Sequence, residues 1–393
     1  MTISVDRYLN AAVAKMGESS RDAVRAWRSF WFRTEPGYTL GIIRIAFGVL
    51  AFLWSLELGI DLYDKFGVDG IVPEAPTYPF LWGLFYVYQS HQAFLIGWIV
   101  LMVASIVMTF GWHSRLASIV VFVLIMSFER RNPWIFNSGD ALIRILSLYL
   151  ALSPCGAALS LDQRRQMGTF WSAQKIKMWP LRLLQVQVSI IYIGTVISKL
   201  HGDTWQNGTA VSYTLRLDDM LILPTPHWMA NTPLVANAMT WGTLLIEFAI
   251  GVLVWNKRWR TRVLIAGVFL HLTIMLTMVV GFFSMAMFVL YLSFVPWERS
   301  RAIALDFRRR VWSVMRRKDS AEAMAVGTAD PDDGRDAAAA GNLPDSPSPA
   351  DVVEDGQAFG RRDPGMAAAP ADVTKTGSVP AAPRDTDAPA VLS

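Results

Sequence analysis

The sequence predicts an all-α fold, a polytopic transmembrane helix bundle of about eight spans. Three observations carry that expectation. Hydrophobic residues make up 53% of the chain and charged residues only 17%, too apolar a balance for an ordinary soluble domain. Long apolar runs recur through its first three quarters. With eight spans, every strongly basic connector falls on one side of the membrane, whereas a miscount by one would scatter them over both faces.

The elements follow in order. The N-terminal segment, 1–34, ends in Arg residues mixed with Trp and Phe over 20–33, which suits an amphipathic helix lying in the membrane interface. No cleavable signal peptide is visible there, so the first apolar span is expected to direct insertion. The expected spans are 39–57, 92–110, 115–128, 139–153, 181–200, 233–254, 260–280 and 281–297, within a transmembrane domain at 35–300. Two of them, 115–128 and 139–153, fall short of the roughly 20 residues a perpendicular crossing takes and are expected to extend into their flanks. A tight turn at Gly281-Phe282-Phe283 separates the last two.

The basic connectors are the N-terminal region, His113–Arg115, Arg164 to Lys177, Asn256–Arg262 and Arg299–Lys318. The positive-inside tendency places them, and both termini, on the cytoplasmic side, here of a bacterial plasma membrane. Residues 301–318 form a basic juxtamembrane segment. From 319 to 393 Ala, Pro, Gly, Asp and Ser dominate, the composition of a disordered cytoplasmic tail.

Several function classes drop out. A net charge of +4, clustered next to apolar segments, does not signal nucleic acid. Cys155 is the only cysteine, which excludes intramolecular disulfides and cysteine-based metal sites. The chain has no phosphate loop, dinucleotide glycine motif or zinc-ligand spacing.

Ionisable residues inside spans are costly and mark sites or structural pairs. Arg44 and Glu247 are opposite in charge and similar in depth, so a structural pair between spans one and six is expected. His271, near the middle of span seven, reads as a neutral, hydrogen-bonded packing residue. Between spans three and four, Asp140 and Arg144 share a helix face, and Asp140 also stands where a helix needs a cap. Arg130 and Arg131 are expected to reach headgroups. On span five, Gln185, Ser189, Tyr192, Thr195 and Lys199 fall within an arc of about 120°. This stripe faces either the protein interior or a wet cavity; the alternative is a Lys199 that snorkels to the outer headgroups.

Several landmarks resemble a known family. They are Leu40-Gly41-Ile42-Ile43-Arg44-Ile45-Ala46-Phe47-Gly48, then Asn132-Pro133-Trp134 with Asn137-Ser138-Gly139-Asp140-Ala141-Leu142-Ile143-Arg144, then Ser160-Leu161-Asp162. The most specific is Lys199-Leu200 with Trp205, Gly208 and Thr209-Ala210-Val211. In order and spacing they resemble the HTTM domain, the membrane portion of vitamin K-dependent gamma-carboxylases and their bacterial relatives. The resemblance implies that Lys199 is a base that deprotonates a reduced quinone, vitamin K hydroquinone or menaquinol, near the outer interface. His201, Arg130, Arg131 and Arg144 would supply cationic neighbours, and the Asp140/Arg144 pair would orient substrate or lysine. Tyr192, Thr195, Trp205 and Asn137 would line the ring site. The carboxylases carry a histidine where this chain reads Asn137-Ser138-Gly139-Asp140, and they have one residue fewer between lysine and tryptophan.

Three readings follow. The first is a quinol-dependent, carboxylase-like lyase or oxidase. The second is a non-catalytic protein that binds or matures a secreted peptide, or binds membrane lipid, at the same outer cavity. The third is a transporter, which would call for inverted repeats and midplane charges.

Overall fold

Inside a bilayer every backbone N–H and C=O needs an internal partner, so apolar runs of this length have helix as their outlet. The computed structural model describes residues 20–74 and 82–327, and a helix occupies each of the eight expected runs. Helix α1 (20–32) leads through strand β1 (Thr34–Pro36) into α2 (Tyr38–Gly59). The short α3 (Leu62–Phe66) and α4 (Leu84–Val87) precede α5 (His91–Phe110), α6 (Ser114–Arg131) and α7 (Ser138–Leu152). Then come α8 (Leu161–Met167), strand β2 (Lys175–Lys177), α9 (Trp179–Leu200) and three short helices, α10 (Asp203–Gln206), α11 (Ala210–Thr214) and α12 (His227–Asn231). The order closes with α13 (Pro233–Leu253), α14 (Arg260–Thr277), α15 (Phe283–Tyr291) and α16 (Trp297–Gly327).

Among the described residues, five helices are long and apolar enough to cross a membrane: α2, α5, α9, α13 and α14. Helix α6 has 18 residues but carries Arg115, Glu129, Arg130 and Arg131. Helix α7 has only 15. The expected eighth span is corrected to a shorter element. Phe283–Phe294 has 12 residues, about 18 Å of helix. Its preceding turn sits where expected, with Gly281 at φ 57°, a conformation that favours glycine. Helix α14 stops before 280 because its end pairs with a loop: the Ile222 N–H donates to Thr277 O and the Val279 N–H to Met220 O, both at 2.9 Å. Residues 319–327, expected to begin the tail, continue α16; the rest of that expected segment, 328–393, lies outside the described residues.

Small residues let the long helices close up. A side chain at Gly48 would collide with Thr109 of α5, and one at Gly251 with Ile193 of α9. At the end where α9 begins, β1 pairs antiparallel with β2, with Glu35 opposite Ile176. The Arg182 guanidinium lies 4.4 Å from the Phe30 ring centre and its Nε donates to Phe30 O, which fastens α1 to α9.

The expected Arg44–Glu247 pair does not form. Arg44 is 0% exposed and donates to the carbonyls of Cys155 (3.0 Å), Ala158 (3.1 Å) and Leu159. The chain between α7 and α8 is not helical, so its carbonyls need outside donors, and a guanidinium carries five. Beside it, Asp162 caps α6, accepting from the N–H groups of His113 (2.8 Å) and Ser114 (2.7 Å) and from the Ser114 hydroxyl (2.7 Å). Burial opposes charge on Asp162, yet these donors hold its carboxyl below the usual range.

Candidate functional site

Two short helices set up the polar centre of the bundle. Helices α7 and α15 start side by side: a Cβ at Gly139 would come within 2.9 Å of the Phe283 backbone. Two clusters of polar side chains flank this junction, joined by Phe283, whose ring packs edge-on against His271 at 5.4 Å.

The first cluster is built on α9. Gly251 of α13 abuts Tyr192 and Ile193, so Glu247, one turn earlier, lies level with Val196 and below Lys199. A lysine side chain in a helix leans toward the helix N-terminus, so Lys199 reaches back into the bundle. Its Nζ meets Glu247 Oε1 at 2.5 Å, with the two side chains 24% and 10% exposed. The Trp205 ring centre is 4.6 Å from the same Nζ, a cation–π contact that closes the amine off from one side. Glu247 Oε2 is buried with no hydrogen-bond partner among the described residues. One turn deeper, the Tyr192 hydroxyl bonds His271 Nε2 at 2.8 Å and the Tyr291 hydroxyl, and His271 Nδ1 lies 3.4 Å from Ser284 Oγ.

The α9 stripe therefore faces inward along its length. Gln185 Nε2 donates to Ser293 O, Ser189 Oγ to Gly251 O, and Lys199 to Glu247. Thr195 differs, donating to Tyr192 O of its own helix at 3.0 Å. Trp205 is held over Lys199 by the turn after α9. In that turn Gly208, at φ 71°, leaves no room for a Cβ: Asn237 Oδ1 would be 1.9 Å away. His201 is exposed, and its Nδ1 lies 2.7 Å from Ile197 O, one turn back on its own helix.

The second cluster corrects the expected Asp140/Arg144 pair. The Asn137 N–H donates to Asp140 Oδ2 at 2.7 Å, and the Asn137 side chain accepts from the Gly139 N–H, so the two residues cap α7 reciprocally. Asp140 Oδ1 accepts from Trp54 Nε1 at 2.8 Å. Arg144 instead pairs with Glu129, whose side chain is 4% exposed. Nor do the other two arginines reach for headgroups. Arg131 is buried and donates to the carbonyls of Gly67, Val72 and Pro73, while Arg130 donates to Trp82 O. A cavity of about 130 Å³ lies between Trp54, Asn137, Asp140 and the Gly281 turn.

Sequence reasoning missed Glu247 as the partner of Lys199, together with Glu129 and Tyr291. Elimination finds the first: Glu247 is the only carboxylate within the last four expected spans. Tyr291 carries no such signal.

YitO, an uncharacterized protein of Bacillus subtilis (strain 168), is 32% identical over 96 residues, which are 23% of this chain and 30% of that protein. The aligned part thus covers less than a third of the relative. No solved structure matches. Residues 32–298 match the family described as the HTTM domain, a stretch that holds both polar clusters and all eight bundle helices. The chain belongs to the HTTM domain family.

Proposed function

We propose that this integral membrane protein binds a reduced quinone beside Lys199 and uses the Lys199–Glu247 pair to accept a proton from it. The observation that carries the reading is the pair itself, inside the bundle under Trp205, with a second carboxylate oxygen that has no donor among the described residues. Buried acceptors are nearly always satisfied, so an orphan next to a candidate base suits a ligand hydroxyl. The flat face of Trp205 suits a ring. A bound hydroquinone would supply two exchangeable protons and two electrons.

The pair's own chemistry follows from its charges. Before Lys199 Nζ can accept a proton it must lose one, and Glu247 Oε1 is placed to take it. The pair is neutral overall whichever group holds that proton, so the transfer moves no net charge into the membrane. By the positive-inside tendency this site faces the outside of a bacterial plasma membrane, with both chain ends cytoplasmic.

The test uses the full chain in nanodiscs, in aerated buffer so that dioxygen accepts the two electrons, with menaquinol or vitamin K hydroquinone, a glutamate-containing peptide as carboxyl acceptor and labelled bicarbonate. Quinol oxidation is expected to fall about 100-fold or more in Lys199→Ala and in Glu247→Gln. Incorporated label assigns the carboxylase branch. Oxidation that proceeds in both variants at the rate of the unsubstituted protein defeats the reading. The second reading, a peptide- or lipid-binding protein without turnover, is favoured by exposed apolar side chains around α12: Ile222, Leu223, Trp228 and Leu234 are each more than half exposed. It predicts ligand binding that survives Lys199→Ala.

A further inference from the structure

The end of the bundle opposite Lys199 holds a larger cavity, about 780 Å³, within the roughly 300–1,000 Å³ span of small-molecule sites. Three helices begin beside it, α9 at Trp179, α14 at Arg260 and α16 at Trp297. The positive ends of three helix dipoles thus converge. Arg33, Arg182, Lys257, Arg260 and Arg299 line the cavity against Glu35 and Glu298, and five cations less two carboxylates leave three positive charges. Among the described lining residues the one ion pair is Arg33–Glu35. Ser293, 2% exposed, also lines the cavity, and its Oγ has no hydrogen-bond partner among the described residues.

The cavity is also built for something apolar. Leu264, Ile265 and Val268 of α14 form one wall, and Ile265 and Val268 are 64% and 37% exposed. In a membrane protein that wall is open to lipid. Converging dipoles and surplus cations suit a phosphate, and the adjoining wall suits an acyl chain, which a free anion lacks.

We propose that this cavity binds one anionic glycerophospholipid. Its phosphate sits among Lys257, Arg260 and Arg299, and a chain runs along Ile265 and Val268. Arg260 is held ready: its Nε donates to Val254 O at 2.9 Å, and its guanidinium lies 5.7 Å from the Phe294 ring centre. Lys257 and Arg299 are exposed. A lipid oxygen gives Ser293 Oγ its acceptor. The site is independent of the quinol reading, at the other end of α9.

The test takes the full chain, delipidated in neutral detergent, and titrates phosphatidylglycerol, phosphatidylcholine and inorganic phosphate. Native mass spectrometry counts bound lipid, and thermal unfolding reads stabilisation. One phosphatidylglycerol is expected to bind and raise Tm where phosphatidylcholine and phosphate do not. Lys257→Gln/Arg299→Gln is expected to weaken that binding on the order of 30-fold. Equal binding of the two lipids, or unchanged binding in the double variant, overturns the proposal. Equal stabilisation by inorganic phosphate overturns the lipid as its ligand. Should the double variant fail to fold, Ser293→Ala is read by the same criteria.

Discussion

Arg44 and Lys199 are both cations set within the apolar bundle, near opposite ends of it, and they are held in contrasting ways. Arg44 is fully buried and meets only backbone carbonyls, in a stretch of chain that could not otherwise satisfy them. Lys199 meets one carboxylate and one indole face, keeps about a quarter of its side chain accessible, and its partner has an oxygen to spare. The first arrangement is closed on the chain it clamps, with only the Arg44 Nε unpartnered among the described residues. The second is open in that Glu247 Oε2, though buried, has no donor among the described residues. The contrast separates a cation that clamps the chain's own carbonyls from one that holds a single carboxylate under an indole ring.

The contrast is broken most readily at Arg44. Arg44→Leu leaves at least three carbonyls without donors in a buried turn, and a loss of about 3–5 kcal/mol is expected. Monodisperse, normally melting protein from this variant would erase the distinction. At the open site, Lys199→Met alone strands the Glu247 carboxylate and is expected to cost about 2 kcal/mol in thermal melts. Lys199→Met/Glu247→Leu removes both charges and is expected to recover most of that stability, though not activity. Recovery of activity in the double variant would return Lys199 to the structural class.

A smaller effect sharpens the closed side. Asp162, beside the Arg44 turn, has its carboxyl held below the usual range in the fold. Its contribution is therefore complete above the unfolded value of about 3.9 and is lost as pH falls through the folded one. Asp162→Asn is expected to flatten the fall of Tm below about pH 4. The smallest effect belongs to His201, exposed and turned onto its own helix end. His201→Ala is expected to stay within about 0.5 kcal/mol and to leave quinol oxidation unchanged.

How much of this was legible in sequence depended on whether a feature is local. Apolar runs and the polar stripe of α9 are local periodicities, and they map directly onto helices and onto an inward face. Partner choice is not local. Arg44 and Glu247 were opposite in sign and alike in depth, but α13 packs on α9, and the lysine bends back by a turn to meet the carboxylate there. Glu129 stood just outside the expected third span. Helix α6 runs on to Arg131, which winds Glu129 into the bundle opposite Arg144. The Asp140/Arg144 spacing was real, but Asp140 was already engaged as a cap and by Trp54.

Phe283 gives the two polar clusters a common hinge pin. Its backbone rests on Gly139 and its ring on His271. Enlarging residue 139 by one methyl group therefore pushes on Phe283, and through its ring on the imidazole, without touching any residue of the α9 cluster. The asparagine loop and the tyrosine–histidine group thus share one packing residue, Phe283, between them.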